Sequence, residues 1–256
     1  MSVLYAGSLE NLMEHDLGPA FSAATGYSFK GYGAGSDELV SEIKGHVRRG
    51  DVFLSASPSA DRGLEGPANG SYVSWYATFA TAPLVLGYNP KSRFAEEFRS
   101  QAWYRVVTLP GVLVGRTDPT LDPKGELTAE AVTDAAGELA LPTLASALAE
   151  WPVFPEETLV GRLEAGQLDA GFFYSFEATA QGIPTVSLAP VALGAAFTVT
   201  VLAHAPDSSG AQTFVAYLLG PAGEALLRRQ GVHLTATALT GPLSAVPAQL
   251  RPLVSG

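Results

Sequence analysis

Two Gly-Ser pairs, Gly7-Ser8 and Gly35-Ser36, carry the sharpest chemical signal in the chain. Each follows a short strand-like run and precedes apolar residues at helical spacing, so each serine is expected at a helix N-cap. The first amides of a helix lack intrahelical partners and sit at the positive end of the macrodipole. With a serine hydroxyl as one more donor, such a terminus holds an anion without any lysine or arginine. Two of them rising from one sheet could hold a dianion. Plain capping explains each serine equally well when it is taken singly.

Three further residues could touch a ligand. Asp122 lies in Leu121-Asp122-Pro123-Lys124-Gly125, just past a strand, where Asp-Pro followed by Gly is also ordinary turn chemistry. Glu156 follows Pro155 at a helix start, where an acid complements the dipole in any case. Tyr174 ends an apolar strand at its C-terminal edge, the edge where open α/β sheets bind ligands, and it reads equally well as a core tyrosine. Asp122, Glu156 and Tyr174 could in principle form an acid/base set. No nucleophile-base pair accompanies them, and no Gly-x-Ser-x-Gly elbow, Walker loop or dinucleotide fingerprint is present. Neither an enzyme nor a cofactor is expected. His15, His46, His204 and His233 are scattered without ligand spacing, which argues against zinc.

The elements that must position these residues alternate. Ser2–Ala6 reads as a buried strand, followed at Leu9, Leu12, Met13 and Leu17 by a helix. The unit recurs: residues 27–32 as a strand, then Leu39, Val40, Ile43 and Val47 on one helical face, with Gly50 at the C-cap position. Residues 51–55 form a third strand. This alternation predicts an α/β fold with a largely parallel sheet. Residues 74–88 are too long for an ordinary strand and are expected to leave one lobe and enter another; residues 195–203 are the candidate for a second crossing. One lobe would comprise residues 1–80 with 192–256, the other residues 81–191. Helices are expected over 94–104, 127–150, 156–165, 177–181, 211–219 and 222–230, and strands over 111–115 and 168–174.

Composition narrows the function classes. Apolar residues make up 47% of the 256 and charged residues 16%, enough for a real core. A net charge of -10 with no basic run makes nucleic-acid binding improbable. The acidic surface repels anions at long range, so an anion site must rest on local donors. With no cysteine there is no disulfide, thiolate nucleophile or Cys-based zinc site. No apolar run reaches the length of a membrane span. The chain enters its first strand without a charged and apolar leader, as expected of a cytoplasmic protein or of one whose leader has been removed.

The order of motifs resembles a known family. Tyr5-Ala6-Gly7-Ser8-Leu9 is followed by Gly33-Ala34-Gly35-Ser36, Asp51-Val52-Phe53-Leu54-Ser55-Ala56 and Trp75-Tyr76-Ala77-Thr78-Phe79-Ala80-Thr81. Then come Gly115-Arg116-Thr117-Asp118-Pro119, the Asp122 turn, and Gly166-Gln167-Leu168-Asp169 before Phe172-Phe173-Tyr174. Most of the chain thus resembles the molybdate/tungstate-binding proteins of ABC importers, especially their archaeal-type branch.

The resemblance implies a type II periplasmic-binding-protein fold, with two α/β lobes, two crossing strands and closure over a ligand. It implies that Ser8 and Ser36 donate hydroxyl and amide hydrogens to the oxyanion and that Tyr174 lines the cleft. It further implies that Asp122 and Glu156, with Glu157 as the alternate, bind the molybdenum or tungsten itself. The sequence departs from the family in a short stretch between Gly125 and Glu156, and in Glu126-Leu127 where the family has Tyr-Arg.

The function so implied is that of a monomeric periplasmic or extracellular solute-binding protein. It would carry molybdate or tungstate to the membrane permease of an ABC importer. The same fold with another ligand (sulfate, thiosulfate or a small organic acid) stays open, with Arg116 as the basic residue that could clamp it. Two carboxylates beside a dianion should repel it in a desolvated cleft. They could instead bond the metal directly and expand its oxygen shell, which sulfur does not readily allow, or one could be protonated.

Overall fold

A computed structural model describes residues 1–254. The chain divides into two compact units, Met1–Ala82 with the residues from Ala196 on, and Pro83–Ala195. It passes from the first unit to the second inside strand β4 (Tyr76–Tyr88) and returns inside β8 (Gly194–Val201). No helix among the described residues is long and apolar enough to cross a membrane.

In the first unit, β1 (Ser2–Ala6) lies between β2 (Lys30–Ala34) and β3 (Val52–Ser55), all parallel, and β8 joins β3 antiparallel. The first half of β4 pairs antiparallel with β9 (His233–Thr240), with a bulge between Thr78 and Ala80. β1 and β3 are apolar along nearly their whole length because helices cover them. Leu4 and Phe53 pack there with Leu39 and Ile43 from the helix Ser36–Lys44. The carboxylate of Asp51 ties the sheet's starting edge together, accepting the amides of Ser2 and Asp207, each at 2.6 Å.

In the second unit, Leu84–Tyr88 of β4 pair antiparallel with β6 (Ala170–Tyr174), and β5 (Val114–Gly115) lies parallel to β6. A short β7 (Thr185–Ser187) pairs with the other edge of β4. Phe173 packs with Leu159, Leu163 and Leu168 on one side of this sheet.

Several expected elements shift. The helix with Leu39, Val40 and Ile43 starts at Ser36 and ends at Lys44 with Gly45 as its C-cap, so Gly50 is not the cap and Val47 lies off the helix, 73% exposed. The expected helix over 127–150 is two helices, Pro123–Glu138 and Pro142–Glu150, broken where Pro142 cannot continue the first ladder. β2 runs from Lys30 rather than Tyr27, and β9 and β7 were not anticipated. β9 alternates between exposed and half-buried residues and lacks the apolar run of a buried strand.

Candidate functional site

The register of β1 and β2 sets Ala6 opposite Ala34, which puts Ser8 and Ser36 each two residues past paired strand ends. Neither serine is an N-cap, contrary to expectation. Ser36 is the first helical residue and Gly35 occupies the cap, in an extended conformation. Ser8 lies inside a short 3₁₀ turn, Gly7–Leu9. Each helical turn begins earlier than the sequence pattern suggests, by two residues at Ser8 and by one at Ser36, so Ala6 and Gly35 fill the caps. The hydroxyls are therefore not spent on their own helices. Ser8 Oγ is buried with no hydrogen-bond partner among the described residues. Ser36, fully buried, accepts the Ala56 amide at 3.1 Å, which leaves its hydroxyl hydrogen to donate.

Next to Ala56 lies a second buried polar group. Asp61 accepts hydrogen bonds from Ser55 Oγ at 3.1 Å and from Thr198 Oγ1 at 2.5 Å. Burial pushes its carboxyl up to about 7, against the two hydroxyl bonds that lower it.

In the second unit, the chain from Trp151 to Phe154 runs beside Arg116, through the bonds Arg116 N to Pro152 O and Phe154 N to Arg116 O. This delivers Glu156 to Lys124, close to Asp122. Asp122 is the N-cap of the helix Pro123–Glu138, its Oδ1 accepting the Lys124 amide at 3.2 Å. The Lys124 side chain is buried and donates to Glu156 Oε1 at 2.5 Å and to Glu177 Oε2 and Oε1 at 2.8 and 3.1 Å. Glu177 Oε2 also accepts the Tyr174 amide at 3.2 Å. Glu156 Oε2 is buried without a hydrogen bond among the described residues. Glu157, the alternate, is not among the buried polar residues, whereas Glu156 is.

The electrostatics follow from burial and from the lysine. Desolvation raises the carboxyls of Asp122, Glu156 and Glu177, and Lys124 pulls each back down. Burial alone would lower the Lys124 ammonium, but Glu156, Glu177 and Asp122 together hold it above its ordinary range. Tyr174 is fully buried and its ring stands 5.4 Å from Lys124 Nζ. Arg116 Nε is buried with no hydrogen-bond partner among the described residues.

The sequence profile of the bacterial extracellular solute-binding proteins matches residues 1–233. The chain belongs to that family. A Haloferax volcanii protein named as an ABC transporter molybdenum-binding protein is 31% identical over 221 residues, 86% of this chain. The chain spans 66% of that relative's length. The molybdate/tungstate-binding protein of Pyrococcus abyssi is 23% identical over 89% of this chain and 80% of its own. Among solved structures, the periplasmic molybdate-binding protein of Azotobacter vinelandii superposes with a TM-score of 0.71 at 18% identity, covering 92% of this chain and 99% of that one. The fold is thus the periplasmic-binding-protein fold expected from the motifs.

Within this solute-binding protein the structure sets Ser8 and Ser36 at neighbouring strand ends, and gathers Asp122, Glu156 and Tyr174 around one ammonium. Lys124 and Glu177 are the residues that no motif singles out. Two signals pointed to them. A lysine in the first turn of a helix opposes the dipole and needs a local reason. Glu177 stands three residues after Tyr174, the spacing of a capping box.

Proposed function

We infer that the protein captures a tetrahedral oxyanion, molybdate or tungstate, and delivers it to the membrane permease of an ABC importer from a periplasmic or extracellular location. Ser8, Ser36, Asp122, Glu156 and Tyr174 are its ligand-contacting residues. The observation that carries the reading is the pair of serines at matched ends of β1 and β2, one hydroxyl buried without a partner among the described residues and the other with its hydrogen to give. Uncharged donors at helix starts suit an anion in a protein of net charge -10. The names of the Haloferax and Pyrococcus relatives favour the same ligand class. No part of the reading calls for catalysis or for a cofactor.

Asp122 and Glu156 are then the carboxylates that meet the molybdenum or tungsten centre. Lys124 eases the repulsion that the bare carboxylates would exert on a dianion. It engages one oxygen of Glu156 and leaves Oε2 to bind. A second reading, the same fold taking sulfate, thiosulfate or a small organic acid, is favoured by the unpartnered Arg116 Nε, because a guanidinium suits a carboxylate or sulfate.

A thermal-shift panel tests the two readings. A ligand bound at a hundred times its Kd stabilises by about 2.7 kcal/mol. Molybdate and tungstate should raise Tm well above the effect of sulfate, thiosulfate, phosphate or acetate at equal concentration. A larger rise with sulfate or with an organic acid selects the second reading.

A further inference from the structure

The first unit has a pocket of about 700 Å³ at the opposite edge of its sheet from Ser8 and Ser36. β1, β2 and β3 run in parallel toward those serines. The pocket is built where strands begin. Gly50 precedes β3, and Leu202 and His204 follow β8, which runs antiparallel to β3 with Val52 opposite Val201. The four residues of β3 hold the two edges about 13 Å apart.

The lining is unlike the rest of the chain. Of fifteen Lys and Arg, three line it (Lys44, Arg48 and Arg49), with two of the four histidines, His46 and His204, and no Asp or Glu. In a chain of net charge -10 this is a local reversal of sign. Lys44 complements the carbonyl end of the helix Ser36–Lys44, but Arg48 and Arg49 lie beyond it. Among the described residues only Arg48 of these three has an acid partner, Glu42 at 2.9 Å. Lys44 reaches only a neutral amide oxygen, that of Asn69, at 2.7 Å. The Asp51 carboxylate next along the chain is occupied by two backbone amides. Arg49 makes no hydrogen bond or ion pair among the described residues.

Beside these charges is a surface for a ring. Tyr72 stands edge-on to His204, with ring centres 5.7 Å apart, and its hydroxyl meets His46 Nδ1 at 3.1 Å. Ile43 and Leu202 supply an apolar floor. The volume falls in the range of small-molecule sites, and is far larger than an inorganic tetrahedral anion needs.

We propose that this pocket is a second ligand site, for an organic phosphate monoester carrying a ring, of the size class of a nucleoside monophosphate. The Arg49 fork and the Lys44 ammonium hold the phosphate, a pairing that guanidinium geometry favours. The ring lies against Tyr72, His204 and the apolar floor. Nothing in this assignment depends on the oxyanion reading, which uses the other sheet edge.

Isothermal titration with adenosine 5′-monophosphate, adenosine and inorganic phosphate tests it at low ionic strength. The wild-type chain is compared with the double variant Lys44→Glu/Arg49→Glu. Both side chains are exposed, so the fold should survive, which an unchanged Tm verifies. Adenosine 5′-monophosphate should bind at least tenfold more tightly than either control, and the double variant should lose at least tenfold. No binding of the nucleotide, equal binding of either control, or indifference to the double substitution overturns the proposal.

Discussion

Lys124 Nζ donates to Glu156 Oε1 at 2.5 Å, while Oε2 of the same carboxylate is buried without a partner among the described residues. One oxygen of this acid is thus engaged by a counter-ion, and the other has no partner among the described residues. Glu177 shares the ammonium and is held in turn by the Tyr174 amide. The sequence suggested acids facing a ligand unaided. The structure shows acids already balanced in part by a buried cation.

Removing that cation should be costly. A buried charge left without its partner destabilises a protein by about 3–5 kcal/mol. Lys124→Met strands Glu156 and Glu177 together, so urea denaturation should show a loss of that order. Adding Glu156→Gln and Glu177→Gln to Lys124→Met should recover a large part of it. If the triple variant is no more stable than Lys124→Met, the lysine is held by packing rather than by charge.

The two serines should separate in their effect on stability. Ser8 Oγ has no partner among the described residues, so Ser8→Ala is expected to be roughly neutral, within about 0.5 kcal/mol. Ser36→Ala strips the buried Ala56 amide of its acceptor and should cost about 1–2 kcal/mol. Both should weaken oxyanion binding, each by about ten- to a hundredfold, the worth of a hydrogen bond to a charged group. Equal stability losses, or unchanged oxyanion binding in both variants, would contradict this assignment.

Asp61 sets a pH dependence of stability. Its folded carboxyl sits at about 7, above the ordinary value of 3.8, because burial outweighs the hydroxyl bonds from Thr198 and Ser55. A group raised on folding stabilises fully below its unfolded value, and that contribution fades as pH rises through 4 toward 7. Between pH 5 and 8 the loss from this residue is about 2–3 kcal/mol. Asp61→Asn should flatten the fall in Tm over that window relative to wild type. Parallel Tm profiles for the two proteins would show that Asp61 titrates normally.

Much of this was legible in the sequence because it is local. The strand–turn–helix repeats at Gly7-Ser8 and Gly35-Ser36 declare themselves by period and punctuation, and β4 declares its unusual length at residues 74–88. What escaped depends on tertiary placement. Whether Ser36 or Gly35 takes the cap turns on a one-residue difference in where the helix starts, which periodicity does not resolve. Lys124 is an ordinary surface residue by type, and the arrival of Glu156, 32 positions on, and of Glu177, 53 positions on, makes it a buried counter-ion. β9 gives little signal because it has no apolar run, its residues alternating between exposed and half-buried.

The central claim is that Asp122 and Glu156 engage the metal of the oxyanion, and calorimetric selectivity tests it most directly. Tungstate and sulfate are titrated into wild type, Asp122→Ala and Glu156→Ala. Wild type should prefer tungstate strongly, and each variant should lose at least tenfold of that preference, because sulfur offers no expandable shell for a carboxylate to bond. A tungstate-to-sulfate ratio unchanged in both variants would contradict the account.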